Sequence, residues 1–188
     1  MTTVAIFCGA ASGNRPAYVA AARRLGRFVA AQHWTMVYGG SGNGLMGAVA
    51  EAALGAGGDV IGIMPQNLYD RGAALPGLKH LDVVADMSVR KQRMLTLADG
   101  CIALPGGPGT LEEMSQAFSW TRIGDFAGPC AFYDVGGYWR HLAAMLDDMV
   151  AAGFLTATDR SKLLFSPDLT AIAAFMAAYE PPAVRRYR

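Results

Sequence analysis

Leu104-Pro105-Gly106-Gly107-Pro108-Gly109-Thr110-Leu111-Glu112-Glu113 joins an apolar, strand-like run (Gly100-Cys101-Ile102-Ala103-Leu104) to an amphipathic, helix-like run from Leu111 to Ile123. A glycine-dense turn entering a helix gathers backbone N–H groups at the positive end of the helix dipole, a setting that suits a phosphate. Gly106, Gly107, Gly109 and Thr110 are the expected phosphate contacts, and Glu113 sits one turn further on. The turn lacks the Gly-Lys-Ser/Thr ending of a P-loop, which argues against nucleoside triphosphate hydrolysis. A monophosphate needs less positive charge. Thr110-Leu111-Glu112-Glu113 also reads as a capping box, with Thr110 as N-cap and Glu113 reaching back to its N–H. The two readings are compatible, because a carboxylate held at a helix N-terminus stays ionised and oriented.

Outward from this turn, strand-like and helix-like segments alternate along the chain. Strands are expected at 4–8, 35–38, 60–64, 81–85, 101–104, 130–133 and 163–165. Helices are expected at 16–32, 45–56, 89–98, 111–123, 138–152 and 169–178, with 65–80 irregular. Repeated β-α units imply an α/β fold, a doubly wound and mostly parallel sheet with helices on both faces. Residues 1–180 form one domain, and 181–188 form a flexible basic tail whose three arginines read as a solvated end.

In such sheets ligands bind beyond the carboxyl ends of the strands. Three glycine clusters fall there: residues 9–13, which include Ser12, residues 39–44, which include Gly40, Ser41 and Gly42, and residues 106–109. Together they could line one crevice. Gly42-Asn43-Gly44-Leu45-Met46-Gly47 matches GxGxxG between a strand and a helix. The next strand runs into Pro65-Gln66-Asn67 with no acidic residue for a ribose hydroxyl, which disfavours a dinucleotide. Close approach of a sugar or base, and plain packing of helix on strand, both stay open.

The composition narrows the partners. Of 188 residues, 53% are hydrophobic and 16% charged, low in charge for a lone monomer, so part of the apolar surface is expected to meet another subunit. The net charge of +1 gives no sign of nucleic-acid binding. No run of about 18 apolar residues suggests a membrane span, and the N-terminus reads as a strand instead of a signal peptide. Cys8, Cys101 and Cys130 are widely spaced in strand-like runs, as expected of reduced core thiols in a cytoplasmic protein. His33, His80 and His141 have no metal-ligand spacing. Arg90, Lys91 and Arg93 open a largely apolar helix, where the dipole disfavours cations. A nearby anion, either substrate phosphate or Glu113, would account for them.

These segments together resemble the Lonely Guy (LOG) family of cytokinin riboside 5′-monophosphate phosphoribohydrolases, long mislabelled as lysine decarboxylases. The resemblance runs from Phe7-Cys8-Gly9 to about Gly153. Residues 38–47 resemble the family's YGGGxxGLMG, Met87-Ser88-Val89-Arg90-Lys91 its M-x-x-R-K, and residues 105–113 its PGGxGTxxE. It implies a Rossmann-like homodimer with its site near the subunit interface. It also implies hydrolysis of the N-glycosidic bond of a nucleoside 5′-monophosphate, without metal or organic cofactor. The family's catalytic arginine and glutamate fall on Arg90 and Glu113, with Met87 and Lys91 beside the substrate. A carboxylate can stabilise an oxocarbenium-like sugar and orient the attacking water. A guanidinium hardly deprotonates, so Arg90 serves electrostatics and the positioning of Glu113.

The chain departs from the family in two places. Ser88 stands where many members have histidine, and Gly72 stands where some carry a substrate-contacting glutamate, with Asp70 nearby as a substitute. The leading alternative is a module on the same scaffold that binds a nucleotide without cleaving it. A decarboxylase would need a Schiff-base lysine with an acidic partner for the ring nitrogen, and Lys79, Lys91 and Lys162 offer no such setting.

Overall fold

The computed structural model describes residues 2–184. Seven strands form one all-parallel sheet: β1 (Thr3–Phe7), β2 (Thr35–Tyr38), β3 (Val60–Pro65), β4 (His80–Val84), β5 (Gly100–Ala103), β6 (Cys130–Tyr133) and β7 (Leu163–Ser166). Their order across the sheet is β4-β3-β2-β1-β5-β6-β7. The strands between them are joined through α1 (Pro16–Ala31), α2 (Gly44–Gly55), α3 (Gln66–Tyr69), α4 (Met87–Leu97), α5 (Pro108–Ile123), α6 (Arg140–Ala151) and α7 (Ala157–Ser161), and α8 (Leu169–Ala177) follows β7.

The central strands are continuous apolar runs because both of their faces are covered. Val4 and Ile6 of β1 point into one core with Leu25 and Val29 of α1, Val49 and Ala53 of α2, and Ile172 of α8. Ala5 and Phe7 point the other way, into a second core with Met94 of α4, Met114 and Phe118 of α5, and Leu146 of α6. All three cysteines are free and buried in these layers.

Chain order reverses between β1 and β5, which pair from Val4↔Gly100 to Phe7↔Ala103. This switch point opens a crevice beyond the two carboxyl ends. Two glycine-dense turns, after Cys8 and after Leu104, therefore face each other. The Gly9 N–H donates to the Pro105 carbonyl at 3.1 Å and ties them together.

Four helix starts differ from the sequence expectation, α2 (Gly44) and α6 (Arg140) by one and two residues and two others for a clear local reason. Helix α5 begins at Pro108, not Leu111, with Gly107 as N-cap. Proline's fixed φ and missing N–H suit the first helical position, so the helix starts there. Thr110 is consequently inside the first turn, and the capping box does not form. Helix α4 starts at Met87, because the Asp86 carboxylate accepts from the N–H groups of Ser88 (2.8 Å) and Val89 (2.9 Å). The stretch read as irregular contains the short α3, and α7 precedes β7 unannounced. Pro182 of the tail is buried and lines a cavity with Arg122, Phe154 and Leu155, whereas Arg185, Arg186 and Arg188 lie outside the described residues.

Helices α1 and α2 pack with their backbones close together. A Cβ at Gly26 would overlap the Val49 carbonyl oxygen and stand 2.9 Å from the Ala53 nitrogen. Gly55, at the end of α2, has nothing within 4 Å of that position. Gly26→Ala should therefore destabilise the fold by about 1–3 kcal/mol through overpacking. Gly55→Ala should be neutral or stabilise by up to ~1 kcal/mol. Urea unfolding of the two variants checks the contrast.

Candidate active site

A cavity of about 340 Å³ opens at the switch point. Cys8, Gly9 and Ala10 line it from the end of β1, Gly107, Gly109 and Thr110 from the start of α5, and Met87 and Arg90 from α4. Glu113 forms its floor, with Glu112, Met46 and Leu68 around it. A second cavity of about 320 Å³ shares Gly9, Ala10 and Gly107 with the first, and Gly106, Tyr18 and Tyr138 extend its walls.

Arg90 and Glu113 meet across the gap between α4 and α5, Nη2 to Oε1 at 2.9 Å, each side chain 9% exposed. Arg90 Nη1 also contacts the Met87 sulfur at 3.3 Å, while its buried Nε has no hydrogen-bond partner among the described residues. Gly39, at the end of β2, makes room for the guanidinium. A Cβ there would stand 2.5 Å from Arg90 Nη2 and 2.9 Å from the Met46 sulfur. The Arg90 cation thus depends on a glycine that sequence reasoning passed over for its neighbours.

Burial pushes the Glu113 carboxyl up, the Arg90 charge pulls it down, Glu112 pushes it up again, and Lys91 pulls it down. Burial wins, and the group sits at about 7. Close to neutral pH it can therefore both hold and release a proton, as a general base must. Burial likewise raises the Cys8 thiol, helped by Glu113, so Cys8 is a neutral wall of the cavity and not a thiolate nucleophile.

Glu113, one of the two anions expected for the α4 cations, pairs with Arg90 alone; the other two cations find different carboxylates. Arg90 pairs with Glu113, Lys91 with Glu112, and Arg93 with Asp82 at 3.1 Å. Lys91 is directed at Glu112 and does not itself line the cavity. At the start of α5 the N–H groups of Gly109 and Thr110 have no intrahelical acceptor, as the geometry of a first turn requires. A Cβ at Gly106 would overlap the Thr110 hydroxyl oxygen, so this turn can be this tight only with glycine.

Gly40, Ser41 and Gly42 are not brought into the cavity. Their backbone bridges to the loop after α3, with Gly42 N–H donating to Ala73 O (3.0 Å) and Gly40 O accepting from Leu75 N–H (2.9 Å). The buried Ser41 hydroxyl accepts from the Asn43 N–H. These partners belong to the loop after α3, a role that neither of the readings left open for this glycine block had named. Ser12 is exposed on the β1–α1 loop and lines neither cavity. Ser88 is exposed at the start of α4, and Gly72 occupies an open turn. Asp70, bound by the Gln66 amide at 2.7 Å, is outside the lining too. Cys8, Met46, Leu68 and Tyr138 line the two cavities without having been singled out from sequence. Cys8 and Met46 lay within the family-like segments, whereas Leu68 and Tyr138 carried no signal in the sequence.

A protein-family model described as "Possible lysine decarboxylase" matches residues 46–176. The probable cytokinin riboside 5′-monophosphate phosphoribohydrolase LOGL9 of Oryza sativa subsp. japonica is 38% identical over 95% of this chain and 78% of its own length. Its counterpart LOG7 of Arabidopsis thaliana is 35% identical over 95% and 82%. The cytokinin riboside 5′-monophosphate phosphoribohydrolase of Rhodococcoides fascians is 40% identical over 92% and 88%. The chain belongs to the LOG family. The fold is shared more widely. A molybdenum cofactor carrier protein from Chlamydomonas reinhardtii superposes with a TM-score of 0.72 at 18% identity, covering 94% of this chain and 98% of its own. A molybdenum cofactor binding protein from Rippkaea orientalis gives 0.69 at 20%, covering 92% and 96%.

The older decarboxylase description does not fit the residues of this LOG-family chain. Lys91 is held by Glu112, Lys162 lies over the Tyr179 ring, and Lys79 is exposed before β4. None faces the cavity. Among the described residues, no group of three or more His, Cys, Asp or Glu side chains is placed to hold a metal ion. No helix of the described residues is long and apolar enough to cross a membrane.

The raised Glu113 carboxyl has a consequence for stability. The folded state keeps this proton between pH 4.5 and about 7, where the unfolded chain has already released it. Its contribution is favourable below pH 4.5 and is lost as pH rises through about 7. Melting temperatures of wild type minus Glu113→Gln should fall across that window and level off above it. In Arg90→Met, NMR titration of the Glu113 carboxyl should give a midpoint above the wild-type value.

Proposed function

We propose that this chain hydrolyses the N-glycosidic bond of adenine-type nucleoside 5′-monophosphates, cytokinin riboside monophosphates or AMP, giving free base and ribose 5-phosphate. The observation that carries this reading is a buried, near-neutral carboxylate, Glu113, one helical turn below a glycine turn with free backbone donors. The names of the 35–40% identical relatives point to the same chemistry.

The 5′-phosphate is held by the N–H groups of Gly107, Gly109 and Thr110, at the positive end of the α5 dipole. The sugar then lies toward Glu113 and Arg90, and the base toward Met87 and Leu68. Water attacks C1′ as the C1′–N9 bond breaks, and the bonding pair leaves with the base. Glu113 takes the proton from that water, and its charge stabilises the oxocarbenium-like sugar. The base acquires its proton from solvent. Arg90 stays protonated throughout. It holds the Glu113 carboxylate in place through Nη2.

Apolar side chains are exposed on the first turns of α4 and α5, and one of them, Met87, lines the cavity. Met87 is 41% exposed, Val89 43% and Leu111 40%, on the same helical turns as Arg90 and Thr110. A second copy of the chain covering α4 and α5 would bury them and close the cavity, as a homodimer with its site near the interface.

Chromatography of free base released from AMP and from isopentenyladenosine monophosphate tests the reaction. Glu113→Gln should lose about 10²-fold or more in kcat. In the wild type, kcat/KM should rise with pH through about 7 as Glu113 ionises. Nucleotide binding without base release from either substrate would favour the binding-module alternative. Light scattering tests the dimer, and a monomer with full activity would refute the shared site.

A further inference from the structure

The glycine turn is gripped from the side opposite Glu113 by an aromatic residue outside all three sequence motifs. Between β6 and α6 the chain passes Gly136 and Gly137 at φ +63° and +71°, a conformation that glycine takes without strain. This delivers Tyr138 over the turn. Its ring meets Tyr18 edge-on at 5.7 Å and Trp139 at 4.9 Å, and it walls the second cavity. Its hydroxyl donates to the Gly106 carbonyl at 2.6 Å.

That single hydrogen bond fixes more than one atom. The peptide bonds of the described residues are all trans, so a carbonyl and the N–H that follows it point in opposite directions. With Gly106 O turned toward Tyr138, Gly107 N–H must point away from Tyr138. Gly107 is where the two cavities meet, and the one on the far side holds Gly109, Thr110 and Glu113. Two successive glycines have the least intrinsic preference for one peptide orientation over its flip. On the β1 side the turn is tied through Pro105 O to Gly9 N–H, which leaves the Gly106–Gly107 peptide to Tyr138.

We infer that Tyr138 is a positioning residue for a phosphate monoester: it presets the Gly107 N–H as a donor to the 5′-phosphate, acting through Gly106 and not by touching the sugar or base. This inference rests on the reading of the turn as a phosphate cradle. Tyr138→Phe removes the hydroxyl and keeps the ring contacts with Tyr18 and Trp139.

Calorimetry with ribose 5-phosphate measures the effect without requiring turnover. Tyr138→Phe should weaken its binding about three- to ten-fold, the ordinary worth of one hydrogen bond. KM for AMP should rise by a similar factor while kcat stays within about two-fold, and binding of adenosine, which lacks the phosphate, should not change. Unchanged affinity for ribose 5-phosphate would overturn the inference, as would an equal loss with adenosine or a fall in kcat at constant KM. If wild type binds ribose 5-phosphate but releases no base from any nucleotide, the hydrolase reading fails while the Tyr138 comparison still decides. If wild type does not bind ribose 5-phosphate, the cradle and this inference fall together.

Discussion

The site is organised around the buried contact between Arg90 and Glu113. Removing two opposite charges from water costs several kcal/mol each, and a well-packed apolar pair of the same volume is often as stable or more so. The pair is therefore hard to explain as a stability device. It also imposes conditions on its surroundings. Gly39 must lack a side chain so that the guanidinium fits at the end of β2, and Met46 packs against the same space. Helix α4 must start two residues before its apolar pattern does, capped by Asp86, to place Arg90 on its inner face.

The same economy of space recurs wherever the backbone comes close to itself. Gly26 lets α1 lie on α2, Gly47 lets the first turn of α2 close on the Gly42 carbonyl, and Gly106 lets the turn before α5 fold onto the Thr110 hydroxyl. In each case a methyl group would collide with a backbone atom or a short side chain that cannot swing away. The first two contacts set how the helices seat on the sheet. The third, with the Gly9 to Pro105 hydrogen bond, sets the shape of the crevice itself.

Much of this was legible in the chain. Parallel strands buried on both faces are continuous apolar runs, so β2 and β6 could be read to the residue and the other strands to within one residue at each end. Helix starts were harder, because they depend on caps: the Asp86 carboxylate and the Gly107-Pro108 entry overrode the apolar periodicity. At the site, Arg90, Glu113, Gly107, Gly109, Thr110 and Met87 fall together around one cavity. The glycines of residues 40–42 were read as ligand contacts because their spacing is that of a nucleotide turn. Spacing does not reveal that Ala73 and Leu75 take their backbone groups. Gly39, Leu68 and Tyr138 went unread for a related reason, since each matters only through a partner distant in sequence.

The electrostatics of the cavity bear on the choice between cleaving a nucleotide and merely holding one. A protein selected only to retain a nucleotide gains nothing by burying a carboxylate one turn beneath its phosphate cradle, where two like charges weaken binding by mutual repulsion. The Arg90 charge offsets part of that, yet burial still holds the Glu113 carboxyl at about 7. Such a group is a poor binding element and a good acceptor for a proton from water at neutral pH. In the proposed reaction the cost to ground-state binding would become useful once positive charge develops on the sugar, because a carboxylate that repels a phosphate attracts an oxocarbenium-like centre. An arrangement unfavourable to the bound nucleotide and favourable to its transition state is what a hydrolase requires and a carrier does not.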